Sequence, residues 1–454
     1  MGVLHMDMSK WPKYMKVRGL DKLKYLIESD RQRLKYTPKD IVDDMLDLLP
    51  KELWSNPSAT FLDICSKSGV FLDRIYWRLE LGLEKIIPDD LDRSDHILTK
   101  QIFGLSLSKE MAEISRGVVY GTYRANHPNA FTMQFKDESG NIKVMERNVD
   151  TNIKHNYKDI LKDATGQLFR DTVKEAFGDM KFDVVVGNPP YNNDMYLDFV
   201  QLGYNLLKDK GIMIMITPAK WQAKGGKKNE DFREKIVPRM KEIVYYPYTQ
   251  DVFDVTAVGG ITYYSVYKEC QEKCTVSIKK NSKEVFYEEE KFDIAKGDKR
   301  HSYYNSKIEH IINKCAYGTR LSKTIFIDEH KNGKYMVKMS HLADDKKKSS
   351  CIGGFILTPI YIEEFGDAGQ NKFILYRGTK EQCESFKSYV YTKFVRFMVA
   401  IGMCASSVRN TETWRFVPNP DAFDHIFTDD ELYKKYNLTQ DEINIIEAVV
   451  KERK

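Results

Sequence analysis

The sequence has few cysteines and no long hydrophobic run. Its seven cysteines are an odd number scattered over 454 residues, which is typical of a reducing compartment and not of a disulfide framework. No apolar stretch reaches the length of a membrane-spanning helix. The polar and charged segment 1–33 lacks the hydrophobic core of a signal peptide. We therefore expect a cytoplasmic protein that does not enter a membrane.

Two common kinds of site are also missing. Cys270 and Cys274 form a single C-x3-C pair without a second pair or a nearby histidine, so we expect no metal. The absence of a G-x-x-x-x-G-K-[ST] sequence argues against a nucleoside triphosphatase. The net charge of +5 permits nucleic-acid binding without arguing for it.

The most informative feature is the tetrapeptide Asn188-Pro189-Pro190-Tyr191, which follows the apolar run 182–187. This short β-branched run predicts a buried parallel strand. The tetrapeptide should then lie at the carboxyl end of the strand, where open α/β sheets bind ligands. Two prolines stiffen the turn and remove two N–H donors. The Asn188 amide oxygen, a neighbouring carbonyl and the face of Tyr191 would suit a planar ring with an exocyclic amine. A turn that only stiffens the strand end is the structural alternative.

An earlier turn has the composition of a second ligand site. The predicted strand 60–64 is followed by a turn of small residues, closed by Ser68 and Gly69, and then by a helix. This arrangement brings backbone amides against a charged or polar ligand. Asp63, at the end of the strand, can accept a hydrogen bond from a cationic or hydroxyl group. Lys67 occupies a place where glycine would fit more easily.

Strands and helices alternate along the first part of the chain, which predicts βαβ units and a mostly parallel sheet. We expect strands at residues 60–64, 101–107, 182–187, 212–217, 241–247 and 260–267. We expect helices beginning at 38 and at 70–81, 108–120, 168–177 and 196–207, a hairpin within 126–150 and a turn at 208–211. Beyond Lys268 the alternation stops, and helices near 307–312 and 380–403 predict a second domain of mixed structure.

The order of these elements resembles the gamma-class adenine-N6 DNA methyltransferases of restriction–modification type. The elements are the Thr37-Pro38 helix start, the turn 63–71, the strand 102–104, the Asn188 tetrapeptide and the segment 211–221. The resemblance implies an α/β fold with a Rossmann-like, S-adenosylmethionine-dependent methyltransferase domain and a mixed α+β C-terminal domain. The implied division is an N-terminal helical extension at 1–33, a catalytic domain at 34–268, a DNA-binding target-recognition domain at 269–425 and a helical segment at 426–454.

Carried over residue by residue, the resemblance implies roles for the motif residues. Asn188 and the Pro189 carbonyl, in a turn held by Pro190, would accept from the amine of a flipped-out adenine. Tyr191 would stack on one face of the base and Tyr263, or else its neighbour Tyr264, on the other. S-Adenosyl-L-methionine would be held by Thr37, Asp63, Cys65, Ser68, Gly69 and Ser106. The turn 63–69 departs from the family's usual Asp-Pro-Ala-Cys-Gly-Ser-Gly, most notably where Lys67 replaces a glycine. Ser106 replaces the acidic residue that usually contacts the ribose.

The resemblance further implies a site-specific enzyme of restriction–modification or host defence. It would act on double-stranded DNA and could work with a separate restriction endonuclease chain. Three alternatives stay open at this point: a protein glutamine methyltransferase, an RNA adenine methyltransferase and a catalytically inactive DNA-binding subunit.

Overall fold

The structure is a computed structural model that describes residues 37–106, 115, 118–119, 130–132, 134–136, 142–144, 177–191, 194–246, 249–253, 257, 259–271, 273–279, 285–292, 306–315, 320–321, 333–340, 360–370, 372–402, 411–420 and 422–450. The chain divides into two compact units. Unit 1 comprises residues up to Thr217 together with Tyr264–Glu269, and unit 2 comprises Pro218–Tyr263 and Cys270–Lys454. The predicted extension 1–33 lies outside the described residues.

Unit 1 contains a parallel sheet with helices between its strands. Its elements are α1 (Lys39–Leu46), β1 (Phe61–Asp63), α2 (Val70–Gly82), α3 (Asp90–His96), β2 (Ile102–Ser106), β3 (Ala130–Thr132), β4 (Gln134–Lys136), β5 (Ile142–Val144), β6 (Phe182–Gly187), α4 (Met195–Asn205) and β7 (Leu207–Pro218). The sheet order is β3-β2-β1-β6-β7, and every one of these neighbouring pairs is parallel. The two short strands β4 and β5 form the expected hairpin.

This strand order is that of a doubly wound sheet, in which the order reverses beside the first strand. All residues of β1 and β2 are buried, which explains why these strands are apolar without alternation. Residues 264–267 run antiparallel to β7. The Lys268 N–H donates to the Gly211 carbonyl at one end, and the Thr217 hydroxyl contacts the Tyr264 hydroxyl at the other. The predicted α/β class with a mostly parallel sheet is confirmed.

Unit 2 begins with more strands of the same kind and continues into a helical core. Its elements are α5 (Lys227–Lys235), β8 (Met240–Tyr246), α6 (Gln250–Phe253), β9 (Ile261–Tyr267, which crosses into unit 1), β10 (Lys273–Lys279), β11 (Val285–Phe292), α7 (Ser306–Lys314), β12 (Tyr335–Ser340), β13 (Tyr361–Glu364), β14 (Lys372–Gly378), α8 (Lys380–Tyr391), α9 (Lys393–Gly402), α10 (Asp429–Lys435) and α11 (Gln440–Val449). Short 3-10 turns and one π turn also occur, at Lys51–Ser55, Ile97–Gln101, Ala219–Gln222, Val237–Arg239 and Thr411–Trp414.

The helix α9 is the centre of the core of unit 2. Its residues from Phe394 to Gly402 are buried, and they cluster with apolar residues of α7, α8, α10 and α11. The helical segment predicted at 380–403 forms two helices, because Thr392 leaves the helical conformation and its hydroxyl accepts from the Val395 N–H. A three-stranded antiparallel sheet, in the order β13-β12-β14, completes the described part of this unit.

Two predicted boundaries differ from the structure. The sheet does not stop at residue 268, since β10 pairs in parallel with β8 and β11 pairs with β10. These pairings satisfy backbone groups that an edge strand would leave open. The expected turn 208–211 lies inside β7, where the register with β6 shifts between Phe182 and Val184. The predicted helices 108–120 and 168–177 fall mostly outside the described residues.

Candidate active site

The Asn188 tetrapeptide leaves the carboxyl end of β6, as its sequence predicts. Asn188 is half-buried and Pro189 is buried. The side-chain Nδ2 of Asn188 donates a hydrogen bond of 3.0 Å to the Thr37 hydroxyl. Because the amide nitrogen is occupied in this way, Oδ1 is the atom that points elsewhere and can accept from a ligand.

Thr37 is buried and precedes α1. Its hydroxyl does not cap that helix, because the N-cap residue is Pro38 and no side chain caps the first turn. A helix follows the Thr37-Pro38 pair as predicted, but it begins at Lys39, one residue later than expected, and Thr37 is not its cap. The Thr37 hydroxyl instead accepts from the side chain of Asn188, a distant residue in the sequence.

A pocket lies between the Asn188 turn and the turn after β1. It contains about 230 Å³ of empty space, part of it open to solvent, and its described lining is Thr37, Asp63, Cys65, Lys67, Ser68, Gly69, Val70, Phe71 and Asn188. Five of the six residues expected to hold the cofactor are therefore brought together beside Asn188. The sixth, Ser106, is not part of this lining.

Gly69 allows the pocket turn to pass into α2. Its φ of +77° is a left-handed conformation that disfavours a side chain. A Cβ at this position would also lie 2.9 Å from Ser115 Oγ, which forms a 2.8 Å hydrogen bond with Ser66 Oγ. The turn is held further by the Ser66 N–H, which donates to the Leu105 carbonyl. Glycine at residue 69 is thus required by backbone conformation and by space.

Asp63 is the acidic group of the pocket and is only 2% exposed. The Cys65 N–H donates to its Oδ1 at 3.2 Å. Burial raises the pKa of Asp63 to about 7, while hydrogen bonds from Cys65 and Ser66 and the charge of Lys67 oppose the rise. A carboxyl group with this pKa is poised to ionise fully when a cation binds beside it.

The two neighbouring titratable groups are shifted by the same desolvation. Burial lowers the pKa of Lys67, and the charges of Cys65 and Asp63 act against this change. Burial raises the pKa of the Cys65 thiol well above its usual value, so Cys65 is a neutral lining residue and not a thiolate nucleophile.

Ser106 ends β2 and is 1% exposed. Its hydroxyl has no hydrogen-bond partner among the described residues. A buried hydroxyl without a partner is costly, so this position fits a ligand hydroxyl that the protein itself does not supply.

Two tyrosines of unit 1 lie near each other at the end of the sheet. Tyr191 is half-buried, and desolvation of its hydroxyl raises its pKa, with Tyr264 the next cause. Tyr264 is fully buried, desolvation also raises its pKa, and a hydrogen bond with Thr217 opposes the rise. Both hydroxyls therefore stay protonated at physiological pH.

Tyr263 packs against a tyrosine other than Tyr191. Within unit 2 its ring packs against Tyr246, with ring centroids 6.0 Å apart. Adjacent strand residues point to opposite faces, so Tyr263 and Tyr264 have different surroundings. The stacking role expected for Tyr263 stays a prediction, whereas Tyr264 is the residue that interacts with Tyr191. Sequence alternation alone shows that only one of the two can face the site.

The described part of the chain has neither a membrane-spanning helix nor a metal-binding cluster. No helix there is long and apolar enough to cross a membrane. No group of three or more His, Cys, Asp or Glu side chains in the same residues is placed to hold a metal ion.

Together, the doubly wound sheet and the pocket at its carboxyl ends define a Rossmann-like α/β protein with a polar turn after β6. More specifically, residues 100–193 and 191–253 match the family described as the Eco57I restriction-modification methylase. The resemblance predicted from the motifs is thus confirmed over these residues, which are similar to that family.

One relative and two solved structures give further comparisons. A protein of Mycoplasma pneumoniae described as an uncharacterized adenine-specific methylase is 29% identical over 298 residues, which are 55% of this chain and 70% of that protein. A structure of a type I restriction–modification system aligns with 16% identity and a TM-score of 0.38 over 61% of this chain and 51% of that chain. The methyltransferase subunit of the type I system of Streptococcus thermophilus aligns with 15% identity and a TM-score of 0.33 over 57% and 51%. The chain spans about half the length of these two solved chains, and alignments at these scores carry no argument about function.

Proposed function

We propose that this protein transfers a methyl group from S-adenosyl-L-methionine to N6 of an adenine flipped out of double-stranded DNA. The observation that carries the proposal is the Asn188–Thr37 hydrogen bond at the edge of a pocket lined by Asp63 and Gly69. It leaves the amide oxygen of Asn188 as an acceptor beside a site suited to a charged, hydroxyl-bearing ligand.

The described residues fit the cofactor. The Asp63 carboxylate would accept from the α-ammonium group, the amides at the start of α2 would face the amino-acid part, and the unpartnered Ser106 hydroxyl would meet a ribose hydroxyl. The bound cofactor would supply a methyl group whose bond to the positively charged sulfur breaks as the bond to the amine nitrogen forms, with a neutral thioether as the leaving group and one amine proton released to water. The pocket residues only have to hold that methyl group in line with the amine.

The Asn188 turn would make the amine of the target base more nucleophilic. An exocyclic amine is a weak nucleophile because its lone pair is delocalised into the ring. Two acceptors, Asn188 Oδ1 and the Pro189 carbonyl, would bind its hydrogens more strongly as the nitrogen becomes pyramidal, which stabilises the transition state more than the ground state. Tyr191 would hold the ring by stacking, and Tyr264 would support it. Alignment of this kind supplies a large part of such accelerations.

The comparisons support DNA adenine as the substrate, since the family is described by restriction–modification and the relative by adenine specificity. Reaching N6 for chemistry requires the base to leave the helix. In a restriction–modification setting the partner would be a separate endonuclease chain, and both would act in the cytoplasm. We assign target recognition to residues 269–425, beyond the methylase match.

A transfer assay tests this proposal. The purified full chain would be given methyl-labelled S-adenosylmethionine with genomic duplex DNA, with RNA and with a protein extract. We expect label in DNA, released as N6-methyladenine after digestion, and none with Asn188→Ala. Label in glutamine, in RNA or in N4-methylcytosine would contradict the assignment. A protein that binds no cofactor by calorimetry, with or without DNA, would be an inactive DNA-binding subunit.

A further inference from the structure

The pocket contains two opposite charges that do not neutralise each other directly. Among its described lining residues only Asp63 and Lys67 are formally charged. The Asp63 carboxylate takes its hydrogen bonds from the Cys65 N–H and from Ser66. Lys67 makes no hydrogen bond or ion pair with a described residue, and it interacts with Asp63 and Cys65 only through space.

Desolvation acts on both groups in the absence of a ligand. It raises the pKa of Asp63 and lowers that of Lys67, so each charge is held in surroundings that disfavour it. A ligand that placed a cation beside Asp63 and an anion beside Lys67 would stabilise the charged form of both side chains. An α-amino acid is a ligand of this kind, since its ammonium and carboxylate groups are joined through one carbon.

The pocket is lined in part by Val70 and Phe71. These residues form the first turn of α2, a helix of 13 residues, whose N-terminal amides favour a carboxylate.

We propose that Lys67 binds the α-carboxylate of the cofactor while Asp63 binds its α-ammonium group, so that the two side chains recognise the amino-acid zwitterion. This inference rests on the proposed function and adds a specificity residue to it. It also gives a reason for a lysine at residue 67, where the resembling family has glycine. A lysine in place of glycine either crowds the cofactor or contributes a charge to its binding, and these two outcomes have opposite effects on affinity.

Calorimetry with the full chain separates the two outcomes. The ligands are S-adenosylhomocysteine and its decarboxylated analogue, which differ only in the α-carboxylate. The variants are Lys67→Met, which keeps the length of the side chain and removes its charge, and Lys67→Gly, which restores the small residue. Lys85→Met, at an exposed lysine beyond the other end of α2, is the matched control. Thermal unfolding of each variant shows whether it is folded.

We expect the wild type to bind S-adenosylhomocysteine about ten- to a hundredfold more tightly than the decarboxylated analogue. Both Lys67 variants should lose that preference by weakening only the carboxylate-bearing ligand, and Lys85→Met should keep it. Equal binding of the two ligands by the wild type, or tighter binding of S-adenosylhomocysteine by Lys67→Gly, overturns the role of Lys67 while leaving cofactor binding intact. Failure of the wild type to bind either ligand overturns the proposed function as well.

Discussion

The Asn188 side-chain amide donates a 3.0 Å hydrogen bond to the hydroxyl of Thr37, a residue 151 positions earlier in the chain. An asparagine amide can be turned by half a rotation at little steric cost, so a fixed partner for Nδ2 decides which way Oδ1 points. Thr37 is itself held at the start of α1, where Pro38 restricts the backbone. The orientation of the Asn188 side-chain amide thus depends on a contact between two distant turns.

Removal of the Asn188 acceptor should affect chemistry more than binding. With Asn188→Ala we expect kcat to fall by about 10²–10³, by analogy with the loss of one transition-state hydrogen bond elsewhere, while cofactor affinity changes by no more than a fewfold. Single-turnover methylation and calorimetry measure the two quantities. Asn444→Ala, at an exposed asparagine, is the control, and a variant at Asn188 that methylates at the wild-type rate would contradict the mechanism.

Thr37 offers a test of orientation. Thr37→Val keeps the shape of the side chain but removes the acceptor for Nδ2, so Asn188 loses its fixed rotamer. We expect kcat to fall because the transition state loses about 1–3 kcal/mol of stabilisation. Thr37→Ser should restore most of the lost rate. If the serine variant behaves like the valine variant, the hydroxyl has no orienting role and the methyl group accounts for the loss.

Asp63 makes cofactor binding depend on pH. The cofactor ammonium needs the ionised carboxylate, whose pKa in the free protein is about 7, so affinity should weaken as pH falls below 7 and binding should release protons there. Calorimetry in buffers of different ionisation enthalpy detects that release. With Asp63→Asn the pH dependence should vanish and affinity should be low throughout; an unchanged pH profile would show that another group is responsible.

The same pKa shift predicts an effect on stability. The folded-state pKa of Asp63 lies above its usual value of 3.8, so the folded state binds this proton more tightly. Its contribution to stability is fully present below about pH 4 and is lost as pH rises through about 7. Asp63→Asn should therefore raise the free energy of unfolding of the cofactor-free protein above pH 7, by about 1–4 kcal/mol. Denaturant titrations at several pH values measure this, and a destabilised variant at pH 8 would contradict it.

Tyr191 should contribute its ring and not its hydroxyl. Desolvation raises its pKa, so it stays neutral over the working range and Tyr191→Phe should leave both the rate and its pH profile near those of the wild type. Tyr191→Ala should lower kcat/KM for DNA by an amount equivalent to about 1–3 kcal/mol, the usual cost of a lost base–aromatic stack. The ratio kcat/KM for DNA measures both variants. A large loss with phenylalanine would mean that the hydroxyl takes part.

The local features of the site could be predicted from the sequence because neighbouring residues determine them. The apolar run before Asn188 forms the strand Phe182–Gly187 with the predicted bounds. Gly69 ends the turn of small residues directly before α2, where the sequence places it. In both cases the backbone conformation follows from proline, glycine or β-branched residues within a few positions.

The remaining features depend on contacts between distant segments. The choice between Tyr263 and Tyr264 depends on the register and direction of β9, which the alternation of side chains does not determine. The Thr37–Asn188 hydrogen bond depends on how α1 packs near β6. The continuation of the sheet into β10 and β11 depends on strand pairing, since nothing in their composition separates an added sheet strand from a strand of another domain.

Methylation mapping by bisulfite-independent sequencing measures whether this chain methylates adenine N6 in DNA, as we propose. DNA from cells that express the wild type would be compared with DNA from cells that express Asn188→Ala. We expect N6-methyladenine at one recognised sequence with the wild type and its absence with the variant. N4-methylcytosine at that sequence, or DNA unmodified by a folded and cofactor-binding wild type, would show that the protein is not an adenine-N6 DNA methyltransferase.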